Sequence, residues 1–365
     1  MNTYLINKNH TLNGKWRIKS KIENYQIGYV KYDESISLPV LEFWSEESIE
    51  PSMFKGEMNA IGFLRDGTPV TLLNISLDHL TYSNGENSLN YFKCNIYGSI
   101  IIGAHYNCKE EIEIIKIETE LSGLPQIIPS RGFSDEYTEN GIKINYTFPE
   151  NIFLCDYKNI RYSVSCKTSF SELGRNRTIY PTDYILIQTI SPLSFDEVDH
   201  QVRVLNNFLV YIANKRSNIE SLSAIDGKGN KLEILNYWYR KKNLKELNEG
   251  MAKSTMFDKY DIGETLYRWL KLYEIQETAM SMYFFSINST HHFIEEDFVL
   301  HVQIFEDLYR HSKAFRQERN PEDSINTKDE EYHIKCTSIL NSCPDEYKDW
   351  LADKFKISNE YSLPD

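Results

Sequence analysis

The stretch "NAIGFLRDGTPVTLLNIS", Asn59 to Ser76, decides how the chain is read. Apolar runs lie on both sides of Asp66-Gly67, and glycine tolerates the positive φ that a tight hairpin turn needs. Two antiparallel strands joined by a short turn follow from that pattern. Outward from it, "GKWRIKSK" (14–21), "YQIGYVKYD" (25–33) and "SLPVLEFW" (37–44) share the short, strand-like character, which persists to about Ile190. From 160 to 167, Ile160, Tyr162, Val164 and Cys166 alternate with Arg161, Ser163, Ser165 and Lys167, the period of a half-buried strand. In "EIEIIKIETEL" (111–121) the alternation changes parity at Ile114-Ile115. This predicts a bulge, because an unabsorbed extra residue would turn every later side chain to the opposite face.

Beyond these strands the period lengthens. Ser194 with Glu197 fits a capping box, and Val198, Val202, Leu205, Phe208, Leu209 and Ile212 form an apolar stripe at helical spacing, predicting a helix over 195–214. Two apolar runs about Gly227-Lys228-Gly229-Asn230 predict a hairpin over 218–240. The polar segment 241–254 reads as a boundary. From Asp261 the pattern is helical: 263–286 has no internal breaker after Gly263 and reads as one long helix. A second helix carries the stripe Ile294, Phe298, Val302, Phe305 and Leu308 or Tyr309, and stops at Pro321, which cannot continue the ladder. The expected fold class is therefore α+β, with a β-rich, sandwich-like domain over 1–245 and an α-helical domain over 255–365.

Composition narrows the function classes. With 41% hydrophobic residues and 25 tyrosines among 365, the chain has the bulky groups a disordered protein lacks. No run of 18 apolar residues occurs and the N-terminus has no apolar signal core, so a cytoplasmic protein without a membrane span is expected. The six cysteines are spread widely, which suits free thiols better than a disulfide framework. The net charge is −13, and from Asp261 onward 21 acidic residues face 11 basic ones, so the chain as a whole lacks the basic face of a nucleic-acid binder.

Few residue groupings carry chemistry. Gln303, Glu306 and Arg310 fall at i, i+3 and i+7 and so share one helix face, where Glu306 and Arg310 also make an ordinary surface pair. Arg310, Lys313, Arg316 and Arg319 form a positive island in the acidic half, equally suited to complementing a helix C-terminus. His105 and Cys108 have the spacing of half a metal site, with Cys94, Cys155 and Cys166 elsewhere, yet no second compact pair accompanies them; buried thiols are the expectation, and no metal or cofactor. His291-His292 reads as a solvent-facing pair. Gly227 to Asn230 lacks the rest of a phosphate-binding loop and reads as a turn. No G-x-S-x-G signature of a nucleophile elbow occurs.

The order of these elements resembles the ApeA-type proteins of bacterial antiphage defence. The resemblance lies in "GKWRI", "YQIGYVKYD", "LPVLEFW" and above all "IGFLRDGTPVTLLN" in the first half, with "VQIFEDLYR" and "DWLADKFKISNEYSL" in the second. It implies a β-rich sensing domain that answers a phage-derived trigger, joined to a HEPN domain that cuts RNA without metal and works as a homodimer. Such centres use an arginine and a histidine in an R-x4-6-H arrangement, the imidazole moving a proton and the guanidinium stabilising phosphate charge. Arg319-Asn320 opens like that motif, but positions 324 to 326 hold Ser324, Ile325 and Asn326. No arginine in the chain is followed by a histidine five to seven residues on. The expectation is thus no catalytic residue within the chain and a helical domain cut short near Asp365. Glu306, Arg310, Lys313, Arg316 and Arg319 are then expected to line a groove or dimer face. The competing expectation is a non-enzymatic dimeric protein that binds a ligand or another protein. A carbohydrate-active sandwich would need facing carboxylates that the sequence does not identify.

Overall fold

The computed structural model describes residues 8–18, 24–33, 38–46, 58–82, 89–128, 132–138, 141–173, 176–213, 217–236, 261–288, 298–308 and 337–341, with positions 6, 239, 343, 344, 348 and 351. Two compact units divide the chain, Met1–Tyr267 and Arg268–Asp365.

The first unit begins with two antiparallel meanders. Strands β1 (His10–Ile18), β2 (Gln26–Tyr32) and β3 (Val40–Ser45) form one, and β4 (Met58–Leu64), β5 (Pro69–Thr81) and β6 (Asn90–Ile96) the other. β4 pairs with β1 and β6 with β3, so the six strands close into a barrel rather than stacking as two separate sheets. Period-two alternation supplies its filling: Leu12, Trp16, Ile18, Val30, Tyr32, Leu41, Phe43, Leu72, Ile75, Phe92, Cys94 and Ile96 are all buried. Phe43 and Phe92 stack inside it at 4.8 Å and 2°, a pairing that adds about 0.5–1.5 kcal/mol beyond area burial. The Asp66-Gly67 turn forms as the sequence predicts. Gly67 has φ +85°, its N–H donates to the Leu64 carbonyl at 2.9 Å, and the Thr68 N–H donates to Oδ1 of Asp66 at 3.0 Å.

β5 is long enough to serve two structures. Its C-terminal half pairs with β6 and closes the barrel, while Val70, Thr71 and Leu72 pair with β7 (Ser99–Ile102), which leads away from it. The changeover lies at Asn74, held at φ +50°, a left-handed conformation that asparagine tolerates better than most residues. There the Tyr97 and Gly98 N–H groups donate to the Asn74 and Leu73 carbonyls, at 2.8 and 3.2 Å. A Cβ on Gly98 would lie 2.5 Å from the Leu73 oxygen, so only glycine allows this approach.

From β7 the sheet runs through β15 (Lys231–Asn236), β14 (Ile219–Asp226), β8 (Glu113–Leu121), β13 (Asn176–Ser194) and β12 (Ile160–Leu173) to β11 (Ile152–Tyr157). The predicted bulge is present: Lys116 pairs with Gln188 and Ile225, the next pairs are Ile114 with Leu193 and Asp226, and Ile115 is skipped on both sides. The capping box also forms. The Ser194 N–H donates to Glu197 Oε2 at 2.7 Å, and helix α2 (Phe195–Ala213; α1 is the short turn Leu124–Ile127) buries Val198, Val202, Leu205, Phe208 and Leu209. It covers one face of the sheet, where the Tyr162 hydroxyl donates to Gln201 Oε1 at 2.7 Å. β9 (Phe133–Thr138) and β10 (Gly141–Tyr146) form a separate ribbon.

The long helix expected over 263–286 is two, α3 (Ile262–Ile275) and α4 (Glu277–Asn288), which meet at the buried Gln276. Within the second unit, Trp269 and Phe284 pack edge to face at 5.8 Å. Oδ2 of Asp307 accepts the Ala279 N–H at 3.0 Å, satisfying a first-turn donor of α4 that an unbroken helix would not leave open. Helical residues 298–308 also depart from expectation. Ile304 is the buried residue, while Phe298 (69% exposed), Val302 (39%) and Phe305 (67%) of the predicted core stripe face outward.

Candidate functional site

The face of the second sheet opposite α2 is polar and only partly open to water. On β8, Ile117, Thr119 and Leu121 are buried, so by alternation Lys116, Glu118 and Glu120 project to the other face. Glu118 pairs in register with Ser223 of β14, and Ser223 with Glu233 of β15, so these three share one row across the strands. Glu120 stands beside Ser221, whose hydroxyl donates to its Oε2 at 3.3 Å. From β12, Lys167 reaches the same row.

Glu118 is the fixed centre of the charges. Its side chain is 19% exposed; Oε1 meets Lys116 Nζ at 2.9 Å and Oε2 accepts from Lys167. Burial pushes its carboxyl up, but the hydrogen bonds from Lys167 and Lys116 win and hold it below its ordinary value. Lys167 also lies 4.6 Å from the centre of the Tyr184 ring, a cation–π contact that limits its movement.

Glu233 is the opposite case. Its Oε2 is buried and makes no hydrogen bond. Burial pushes its carboxyl up to about 7, with Lys167 opposing and Glu118 reinforcing the rise. Glu120 is also raised, chiefly by burial. The result is one carboxylate saturated by ammonium groups and one carboxyl poised to give or take a proton near neutral pH, two strands apart on a rigid sheet. A buried carboxyl oxygen without a hydrogen bond, on a carboxyl with a raised pKa, makes this face a candidate binding or proton-exchange position. Chemically, the face can offer a neutral hydroxyl donor at Glu233 and, once a cationic group arrives, a carboxylate. Among the described residues no three His, Cys, Asp or Glu side chains are grouped to hold a metal ion.

The residues singled out in sequence are not among these. Glu306 is half-buried in helical residues 298–308, and Gln303 is exposed; Arg310, Lys313, Arg316 and Arg319 lie outside the described residues, as do His291 and His292. His105 joins Phe63 at 4.5 Å, edge to face, and bonds the Gly62 carbonyl through Nε2 at 2.7 Å. Cys94 and Cys155 are buried thiols, each pushed up to about 12 by burial. Gly227 to Asn230 is a turn held by Asp226, whose Oδ1 accepts the Lys228 and Asn230 N–H groups at 3.0 and 2.7 Å. Sequence reasoning missed Glu118, Glu120 and Glu233. Their one signal was charged residues recurring on alternate positions of an otherwise apolar strand, the usual mark of a solvent face.

The family model for ApeA N-terminal domain 1 matches residues 11–271, which takes in every strand of the barrel and of the second sheet, and α2. No curated protein and no solved structure matches the chain. No helix among the described residues is long and apolar enough to cross a membrane.

Proposed function

The chain belongs to the ApeA N-terminal domain family, and from that premise we propose an antiphage defence protein whose β unit is the sensor of a phage-derived ligand. The match over 11–271 carries the reading. The polar face of the second sheet is the ligand site in this proposal, with Glu233 as the group whose protonation answers the ligand. A buried carboxyl oxygen that no donor reaches costs stability, so a ligand that donates to Oε2 recovers that cost on binding.

The helical residues of 255–365 serve, in the same proposal, as part of a HEPN-type effector that pairs with a second copy. The outward stripe Phe298, Val302 and Phe305 supports pairing, since single helices seldom leave such a row in water without a partner. The chain alone is not a complete ribonuclease, because no arginine is followed by histidine at the spacing such centres use. A non-enzymatic dimeric binding protein is the second reading, favoured by that same missing pair.

Phage plating on bacteria that express the chain joined to an effector domain carrying the missing arginine–histidine pair tests the sensor reading: plaque numbers should fall at least tenfold for one or more phages, and Glu233→Lys should remove the protection. Protection unchanged by Glu233→Lys would refute the site. Purified chain incubated with mixed RNA and chelator should leave the RNA intact. Robust cleavage that is lost on Arg310→Ala would show a working centre and overturn the effector part.

A further inference from the structure

The outer wall of the barrel carries a second grouping, unrelated to the polar face. Tyr29 on β2 and Tyr91 on β6 flank β3, and both donate to Oε2 of Glu42, each at 2.7 Å. Two residues along β3 on the same face, the Trp44 indole lies between the phenol rings, 6.1 Å from Tyr29 and 5.7 Å from Tyr91. Trp44 is 37% exposed. The hydrogen bond to Glu42 pushes the Tyr29 hydroxyl up to about 12. Among the described residues no other hydrogen bond reaches Glu42, so Oε1 carries none there.

Charge points the same way. Lys93, the cross-strand partner of Glu42, is engaged by Asp78 at 2.7 Å, so two carboxylates stand against one ammonium. Pinning three strands would account for both phenol bonds, but it would not call for an exposed indole beside the carboxylate. An exposed indole beside a carboxylate makes a site for a cation.

We propose that this cradle takes the guanidinium of an arginine side chain presented by a polypeptide partner. A guanidinium is planar and weakly hydrated, so it stacks on the indole while its N–H groups reach Oε1. Ile27, 71% exposed on the same outward row of β2 as Tyr29, offers an apolar surface for the methylene stem. The net charge of −13 favours the approach of a basic segment. A single-stranded nucleic acid would also stack on Trp44, but its phosphates would meet Glu42 and Asp78.

The test is titration of the full chain with acetyl-Gly-Arg-Gly-amide, followed by the backbone amide resonances of β3 and β6. The peptide should shift them saturably with a dissociation constant on the order of 1 mM, the affinity of a single side chain. The same peptide with citrulline, which keeps the shape and loses the charge, should bind at least tenfold more weakly. Trp44→Leu and Glu42→Gln should each weaken binding at least fivefold, with amides elsewhere unmoved. Equal binding of the citrulline peptide, undiminished binding to either variant, no saturable shift, or stronger shifts of these amides by oligothymidylate would each overturn the proposal.

Discussion

The Tyr106 hydroxyl donates to Oδ2 of Asp226 at 2.7 Å, joining residues 120 positions apart. Tyr106 follows the strand that leaves the barrel, and Asp226 closes β14 and holds the turn at 227–230, so one bond ties the route out of the barrel to the middle of the second sheet. Asp226 is 2% exposed and Tyr106 also 2%.

Tyr106→Phe should therefore destabilise the first unit by about 1–2 kcal/mol, the cost of leaving a buried carboxylate short of one donor. The loss should depend on pH. Burial pushes the Asp226 carboxyl up, but the bonds from Tyr106 and Asn230 hold it below its ordinary value. A depressed carboxyl stabilises the fold above its unfolded value of about 4 and loses that contribution as pH falls through the folded value. Urea unfolding of both proteins should show the gap narrowing on acidification; a gap independent of pH would contradict the assignment.

Glu233→Gln should act with the opposite sign. The folded carboxyl is raised from 4.5 to about 7, so its contribution is complete below 4.5 and is lost as pH rises to about 7. The glutamine variant should be less sensitive to pH in that window and more stable than the parent above it, by about 1–2 kcal/mol once solvent screening is allowed for. Thermal unfolding across the window measures this directly.

Phe298→Ser with Phe305→Ser should lower self-association at least tenfold in sedimentation velocity, without loss of helix content, because both side chains are exposed. An unaltered association constant, or no association in the parent, would count against the proposed pairing through this stripe.

Gly98→Ala brings a methyl group to 2.5 Å from the Leu73 carbonyl oxygen, and neither backbone can yield without disturbing the changeover at Asn74. About 1–3 kcal/mol of destabilisation is expected, visible as a lowered midpoint in thermal unfolding.

Local chemistry was readable in the sequence where a few neighbouring residues settle the outcome. The Gly67 turn and the Ser194 cap each depend on contacts within a handful of positions, and the bulge at Ile115 left its mark as a change of parity within one strand. Barrel closure was not readable, because it depends on β4 meeting β1 and β6 meeting both β3 and β5, pairings that alternation alone does not order. The candidate site stayed hidden for a related reason. Glu118, Ser223 and Glu233 become one row only when three strands distant in sequence take their register. On helical residues 298–308 the rule that apolar stripes turn inward misled, since Ile304 and Asp307 make the internal contacts instead.

Strand Pro69–Thr81 belongs to the ring and to the open sheet at once. Any fragment that ends after Ile102 keeps the ring but strips β7 of β15, baring a row of unsatisfied amides and carbonyls that would template aggregation. Any fragment that begins after it leaves β15 equally raw. Excision at the domain border that barrel and sheet suggest to the eye should thus yield halves more prone to aggregate than the intact unit.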